Sequence, residues 1–462
     1  MSTTKETNRL SRFTHFIDLS DGYTAIYHSV NMGIVFAKTE YIEEFRKSGW
    51  LACAGSTLGN LVEELKKERM LIVQEVEEMS DYNSIQASLP ELPITILYLL
   101  LTDLCNFACR YCFIEGNFPA DFCPASMTPE IAQEGIDLFA KTLAKNPRKH
   151  FHPRVIFYGG EPLLNFPTLK FALEYIEQLK KEGVLPESVK ITVNTNASAV
   201  NSEIAETLAS YRVSVAVSLD GRKEIHDLER VSHSGLGTFD TTVQGLRLLQ
   251  TAGVQTSISC TITEAGAKVL EESLRFFVSE FGIKSVGFNI IREGTSPKIR
   301  DINAYTTTVS NALVSCFRLA RKEGIYEDRM MRKARAFARR QPHLNDCAGC
   351  GQQIVIAPTG EVGICHADVG KKTYFVSNTP DLDPLIHPCW QEWRKRSPFS
   401  MKECLNCIAI GICGGGCPYH VYLKKGTIWA LDDAFCIHSK TSLEFLIKDL
   451  WEQTRTKTEP VT

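Results

Sequence analysis

The hydrophobic pattern divides the chain into three stretches of different texture. Between residues 13 and 80 short runs, Phe16–Leu19, Thr24–His28 and Ile34–Ala37, are broken by turn residues such as Asp21-Gly22 and read as strands. Thr39–Ser48 and Thr57–Glu68 read as helices. In the second, Leu58, Leu61, Val62 and Leu65 recur at helical spacing and Thr57 offers an N-cap oxygen. A short strand, Met70–Val73, returns. Strands, helices and a returning strand predict a small winged-helix-like module over 13–80. Asp81–Leu92, with Asn83, Ser84 and Pro90, reads as a linker.

From Ile94 the pattern becomes strand-then-helix. Ile94–Leu101, Val155–Tyr158, Val189–Asn194, Val213–Leu219, Thr256–Thr263 and Ser285–Ile291 read as mostly apolar strands, as buried parallel strands are. Thr128–Ala144, Thr168–Glu182, Ser202–Ser210, Phe239–Ala252 and Val269–Phe281 read as the helices between them. About six such units over 94–327 predict an α/β fold with a parallel sheet, either open or a partial barrel. The chemically distinctive segments, Asp103–Cys112, Gly159–Pro162, Thr195–Asn196 and Ser218–Gly221, each follow a strand, where parallel α/β folds build their sites. A bridging helix is expected over 328–345. Its basic run, Arg329, Arg332, Lys333, Arg335, Arg339 and Arg340, reads as a solvated face, with contact to an acidic peptide as the alternative. Residues 346–440 are rich in Gly, Pro and Cys, a region expected to depend on metal for its shape. A C-terminal helix and tail occupy 441–462.

Composition adds one informative fact. A net charge of −3 gives no reason to expect nucleic acid or an anionic membrane as partner. No apolar run reaches the roughly 18–20 residues of a membrane span, and Met1–Arg12 is unlike a secretory signal, so the expected location is the cytoplasm. Sixteen cysteines in a reducing compartment then call for metal rather than disulfides. Three lie within 105–112 and eight form a spaced set from Cys347 to Cys436; Cys53, Cys123, Cys260, Cys316 and Cys389 are scattered outside these sets and read as small buried hydrophobes.

Cys105, Cys109 and Cys112 form C-x3-C-x2-C directly after a strand. A cubane [4Fe–4S] cluster takes four ligands, so three thiolates would leave one iron open to a substrate's amine and carboxylate. The alternative is a zinc loop that borrows a fourth ligand. With Tyr111 before the last cysteine, the motif resembles the signature of the radical S-adenosylmethionine (SAM) superfamily, whose fold is a partial (β/α)6 TIM-like barrel. Gly159-Gly160-Glu161-Pro162 resembles that family's glycine-rich loop, which contacts the methionine amino group of SAM. Glycines let backbone approach a ligand closely, and Glu161 with neighbouring carbonyls offers acceptors for an ammonium. Asn194-Thr195-Asn196 and Ser218-Leu219-Asp220-Gly221 are similar to segments that contact the ribose and carboxylate of SAM, with Ser218 on the ribose. The resemblance implies reductive cleavage of SAM to methionine and a 5′-deoxyadenosyl radical, the cofactor carrying the chemistry and the protein positioning it.

The later cysteines run C-x2-C, then C-x9-G-x4-C through Cys350, Gly360 and Cys365, then C-x2-C-x5-C-x3-C and an isolated Cys436. This resembles the SPASM extension of radical SAM enzymes. It implies two further [4Fe–4S] clusters, one on Cys347, Cys350, Cys365 and Cys417, the other on Cys404, Cys407, Cys413 and Cys436. Paired C-x2-C also suits a zinc ribbon. SPASM enzymes mostly act on polypeptides. Sulfatase maturases carry an acidic base after the cysteine at the position of Cys365, whereas this chain has His366, Ala367 and Asp368 there; His366 or Asp368 is the candidate proton carrier. The 13–80 module resembles winged-helix domains that bind a precursor's leader by adding it as a strand to a sheet edge. The implied function is maturation of a precursor peptide with a leader, by a thioether link from cysteine sulfur to carbon, with a flavodoxin- or ferredoxin-type electron donor. A sulfatase maturase, a quinone-cofactor maturase and a non-catalytic iron–sulfur electron carrier are the alternatives.

Overall fold

Strands Ile96–Leu100, Arg154–Tyr158, Lys190–Thr195, Ser214–Ser218, Gln255–Ile262 and Ser285–Ile290 pair in parallel and stand in chain order across one sheet. A doubly wound open sheet reverses its order at a switch point; this one does not, and its helical crossovers wind in one sense as in a partial barrel. The computed structural model describes residues 9–48, 56–72, 75–89, 92–114, 116, 118–146, 152–291, 299 and 301–458. Cys53, Val73 and Pro90, and the expected tail beyond 458, lie outside these residues.

The strands are not uniformly apolar. Val155, Phe157, Ile191, Val193, Val215, Val217, Val286 and Phe288 are buried in one core with apolar helix residues such as Phe139, Leu173, Leu208 and Phe277, each worth roughly 1.5–3 kcal/mol on removal from water. The intervening positions, among them Thr192, Asn194, Ser214, Ser257, Ser259 and Asn289, line open space inside the barrel. The helix side is packed along the sheet, the inner side only near the first strand, where Leu100, Ile114 and Val355 cluster, so the later strands alternate with the period of two that a half-buried sheet requires.

The cysteine-rich region contributes to the same sheet, which the sequence reading missed. Gln353–Ile356 adds in parallel beside Ile96–Leu100, and Val362–Gly363 and Phe375–Val376 follow antiparallel. At the other edge Tyr326–Glu327 pairs with Ser285–Val286.

The N-terminal unit has an antiparallel sheet of Thr14–Asp18, Tyr23–His28 and Ile34–Lys38, helices Thr39–Ser48 and Ser56–Lys67, and a pair between Arg9–Leu10 and Leu71–Ile72. The expected linker is instead part of a helix, Glu75–Ser88. Met79, Tyr82 and Ile85 share a cluster with Phe13, Phe399, Met401 and Cys404, and Glu78 holds Arg9 at 3.1 Å and Arg12 at 3.4 Å. This helix clamps the N-terminal unit onto the cysteine-rich region. Tertiary packing overrides the weak helix preference of Asn83 and Ser84.

Helix Asp328–Arg339 also departs from expectation. Arg335 and Arg339 are exposed, but Arg329 and Lys333 are buried against the C-terminal region. The last helix starts at Asp433 rather than near 441 and takes in Cys436. Of the scattered cysteines, Cys260 and Cys316 are buried, Cys389 is partly buried and Cys123 is exposed, contrary to its reading as a core residue. Among the described residues no helix is long and apolar enough to cross a membrane.

Candidate functional site

The loop after the first strand is fixed from several sides. Ala108 N donates to Val231 O at 2.7 Å and Arg110 N to Glu229 O at 2.9 Å, stitching the loop to the segment after the fourth strand. Asn106 donates to Ser198 Oγ at 2.8 Å and accepts from Asn196 Nδ2 at 2.9 Å. The thiols of Cys105, Cys109 and Cys112 face one another within electrostatic reach. Burial pushes Cys105 up to about 12 and Cys109 up to about 11; the Arg230 guanidinium, with Nη1 3.9 Å from Cys109 Sγ, pulls the latter back. Metal ligation would therefore displace protons from these thiols.

Gly159 and Gly160 serve a different contact from the one the sequence suggests. Gly160 N donates to Thr102 O and Glu161 N to Leu104 O, both at 2.8 Å. A Cβ on Gly159, whose φ is +132°, would run into Thr102 O, and one on Gly160 into the carbonyls of Leu104 and Asp103, the latter at 2.8 Å. The glycines thus let this loop lie against the backbone that enters the cysteine motif. The buried Glu161 carboxylate is engaged by Thr195 Oγ1 (2.6 Å), Asn196 N (2.7 Å) and Leu163 N (3.1 Å), while burial raises its pKa to about 7. It ties the second strand's loop to the third's, which leaves backbone carbonyls as the loop's free acceptors. Gly160→Ala is expected to lower SAM affinity at least tenfold, or about 1.4 kcal/mol, with the fold kept. Equilibrium binding and circular dichroism test this; wild-type affinity would show that the loop contact tolerates a methyl.

Asp220 is likewise a holding residue. Its side chain is 1% exposed, accepts from Arg230 Nε (2.9 Å), Arg230 Nη2 (3.2 Å) and Thr261 N (2.8 Å), and also takes the Tyr111 hydroxyl. Arg230 lies 5.4 Å from the Tyr111 ring centre. Arg230, Asn106 and Ser198 were not singled out from the sequence; no local motif marks them.

A cavity of ≈ 660 Å3 opens at the strand ends, within the roughly 300–1,000 Å3 of small-ligand sites. Cys105, Cys109, Tyr111, Cys112, Gly159, Gly160, Glu161, Asn194, Thr195, Asn196 and Ser218 line one side. The cysteine-rich region supplies His366, Ala367, Cys417, Tyr419 and His420. Pro162, Asp220 and Asp368 do not line it. His366 stacks on Tyr98 (centroids 4.8 Å, planes 21° apart) with Tyr158 edge-on at 5.1 Å. Burial lowers its pKa to about 4, so the ring is neutral, and its Nδ1 is buried with no hydrogen-bond partner. Asp368 is buried behind this wall, accepts from Tyr374 N at 2.7 Å and is raised to about 6 by burial.

The remaining eight thiols fall into two neighbourhoods. Cys350 and Cys365 each feel Cys347 and Cys417. Cys404 feels Cys413 and Cys407, and Cys436 feels all three. The first neighbourhood borders the cavity through Cys417; the second lies under helix Glu75–Ser88, where Cys404 packs with Phe399 and Met401. Among the described residues no three ligand-type side chains converge on a single-ion position; the thiols form looser groups.

Residues 99–276 match the family model described as the Radical SAM superfamily. The radical SAM cyclopropyl synthase TigE of Paramaledivibacter caminithermalis is 23% identical, over 95% of this chain and 95% of that protein. A cysteine-type anaerobic sulfatase-maturating enzyme of Clostridium perfringens is 26% identical, over 70% of this chain and 89% of its own length. The solved structure of native anSMEcpe with bound AdoMet and Cp18Cys peptide superposes with a TM-score of 0.63 at 21% identity, covering 79% of this chain and all of that one, a likeness of fold. The family implies SAM and an iron–sulfur cluster as cofactors. With its three-thiol loop, glycine-rich loop and polar strand ends gathered around one cavity, residues 99–276 are a radical SAM domain, and the chain is an enzyme that carries it.

Proposed function

We propose that the enzyme is a peptide maturase that takes a hydrogen atom from a precursor peptide and closes a new covalent bond within it, in the first instance from a cysteine sulfur to carbon. The observation that supports this most is the two-sided cavity. One wall is the three-thiol loop with the SAM-type strand ends; the other is the cysteine-rich region, with His366, Tyr419 and Cys417. A [4Fe–4S] cluster on Cys105, Cys109 and Cys112 with SAM supplies a hydrogen-abstracting radical, and clusters on the two further thiol sets supply an acceptor for the electron left over when the bond closes. The chain's own residues do the positioning. Glu161 locks the glycine loop, Asp220 and Arg230 hold the cysteine loop, and Ser218 and Asn194–Asn196 line the SAM side. Tyr98, Tyr158 and Phe113 box the His366 ring at the cavity wall, where burial keeps the imidazole neutral and weakly basic, so that it can orient a substrate group more readily than it takes a proton.

Peptide and protein substrates of the relatives favour this reading: one is a sulfatase-maturating enzyme and the superposed structure holds a peptide. The three-stranded N-terminal sheet adds a docking element. Thr14–Asp18 and Ile34–Lys38 are its edge strands, and a sheet edge is where a leader would add as a further strand. A carbon–carbon ring closure is the second reading, favoured by the cyclopropyl synthase that aligns along 95% of both chains.

Anaerobic incubation of the cluster-loaded enzyme with SAM, reductant and a cysteine-containing precursor encoded beside it tests the proposal. The expected product lacks two hydrogens per new bond. A thioether consumes an alkylatable cysteine thiol, whereas a carbon–carbon ring leaves it free. Continued SAM cleavage with the peptide unchanged in mass would overturn the peptide assignment.

A further inference from the structure

The basic helix Asp328–Arg339 passes between the two C-terminal thiol groups with part of its charge turned inward. Lys333 is completely buried. Its ammonium has three acceptors, Ile412 O (3.3 Å), Cys413 O (3.2 Å) and Ser439 Oγ (3.2 Å), and lies 4.5 Å from the centre of the Phe435 ring. Three acceptors match the three N–H groups of an ammonium, and the ring face favours a cation. The pocket is built for a positive charge.

Burial disfavours the charge of Lys333, and Asp346, followed by Cys413, acts to keep it, but Asp346 pairs directly with other cations. Asp346 is shared by Arg332 at 3.4 Å, Arg329 at 3.9 Å and His343 at 3.6 Å. Glu327 caps the helix through Arg329 N (2.9 Å) and Met330 N (2.8 Å). Among the described residues Lys333 has no carboxylate at ion-pair distance. A buried cation without a partner is expensive, costing several kcal/mol, so a negative group belongs beside it. The group at hand is the thiol set that includes Cys413. The other buried cation of the region, Arg396, bonds Gly415 O at 2.8 Å and Ala430 O at 3.3 Å and acts on both Cys350 and Cys404, so it favours neither set. Arg332 acts on Cys347 but is offset by Asp346 and by Asp328 at 3.2 Å. Lys440 acts on Cys407 from an exposed, solvent-screened position, so Lys333 is the buried asymmetry.

We infer that Lys333 is a positioning residue for electron flow: its charge raises the reduction potential of the centre held by Cys404, Cys407, Cys413 and Cys436 above that of the centre bordering the cavity, so that the surplus electron moves away from the substrate. The inference rests on the reading that both thiol sets carry iron–sulfur clusters. Reducing a thiolate-ligated cluster adds one negative charge, and a desolvated cation stabilises that state more than the oxidised one.

Potentiometric titration of the anaerobic holoenzyme, followed by electron paramagnetic resonance with iron and sulfide counted, tests it on Lys333→Met, Lys333→Gln and Lys333→Arg. In the Met and Gln variants the reduction equilibrium of one auxiliary centre is expected to fall about tenfold, which is about 59 mV for one electron; Arg keeps the wild-type value and the other centres do not move. Unchanged midpoints in a fully loaded Gln variant would overturn the inference, as would a drop with Met alone, which would assign the effect to hydrogen bonding. If Met fails to load, the Gln and Arg pair decides. Wild-type protein with iron for fewer than three clusters would instead sink the underlying cluster reading.

Discussion

Replacing Asp220 with alanine is expected to destabilise the protein by about 3–5 kcal/mol, the range for breaking a buried ion pair by removing one partner. The carboxylate accepts from the Tyr111 hydroxyl, from both Arg230 Nε and Nη2, and from Thr261 N. Its loss leaves a guanidinium that is 9% exposed beside a hydrophobic strand end, together with an unpaired buried hydroxyl and amide. Arg230 would then turn toward whatever acceptors remain, and its contact with Cys109 would loosen. Asp220→Asn removes the charge but keeps an acceptor, so its loss should be smaller. The denaturation midpoint of the cluster-loaded protein, read at unchanged slope, measures both. An alanine variant within about 1 kcal/mol of wild type would show that Arg230 is satisfied without this carboxylate.

The expectation could not have come from the sequence. Asp220 stands in a segment similar to SAM-contacting ones, and Arg230, ten residues on, carries no motif that marks it. They become a buried pair only because the cysteine loop folds across them, a contact between segments more than a hundred residues apart (Tyr111 to Asp220). The same holds for helix Glu75–Ser88. Its clustered residues Met79, Tyr82 and Ile85 stand among polar neighbours such as Asn83 and Ser84, and their partners, Phe399 and Met401, are more than three hundred residues away.

What was legible is what local chemistry decides. Barrel strands and helices were readable to within a few residues, because hydrophobic period and caps such as Thr128 and Asn201 act within one turn. The grouping of the cysteines was readable because their spacing is local too; their role as ligands belongs to the proposal. One signal was present and misread. Ser214-Val215-Ala216-Val217-Ser218 and Ser257-Ile258-Ser259-Cys260-Thr261 alternate, marking a barrel with a polar hollow rather than strands packed on both faces. The glycine loop was found, but the close approach it permits is to Thr102 and Leu104 and not only to a ligand. The basic helix was read as solvated because charge alone carries no direction; Arg329 and Lys333 turn inward where the C-terminal thiols gather.

The largest effect belongs to the three-thiol loop. Cys105, Cys109 and Cys112 share one wall of the cavity with the glycine loop and Ser218, so a cluster held by them would meet SAM there, while the eight C-terminal motif thiols lie in two other groups. Removing all three thiols should therefore abolish one centre and leave the rest. The direct measurement is 5′-deoxyadenosine formation by dithionite-reduced, anaerobically purified Cys105→Ala/Cys109→Ala/Cys112→Ala protein, with iron counted in parallel. The expected result is a fall of about a thousandfold or more, equivalent to roughly 4 kcal/mol of barrier, with iron retained for the other two clusters. Cleavage of SAM at the wild-type rate by the triple variant would contradict the assignment of that loop.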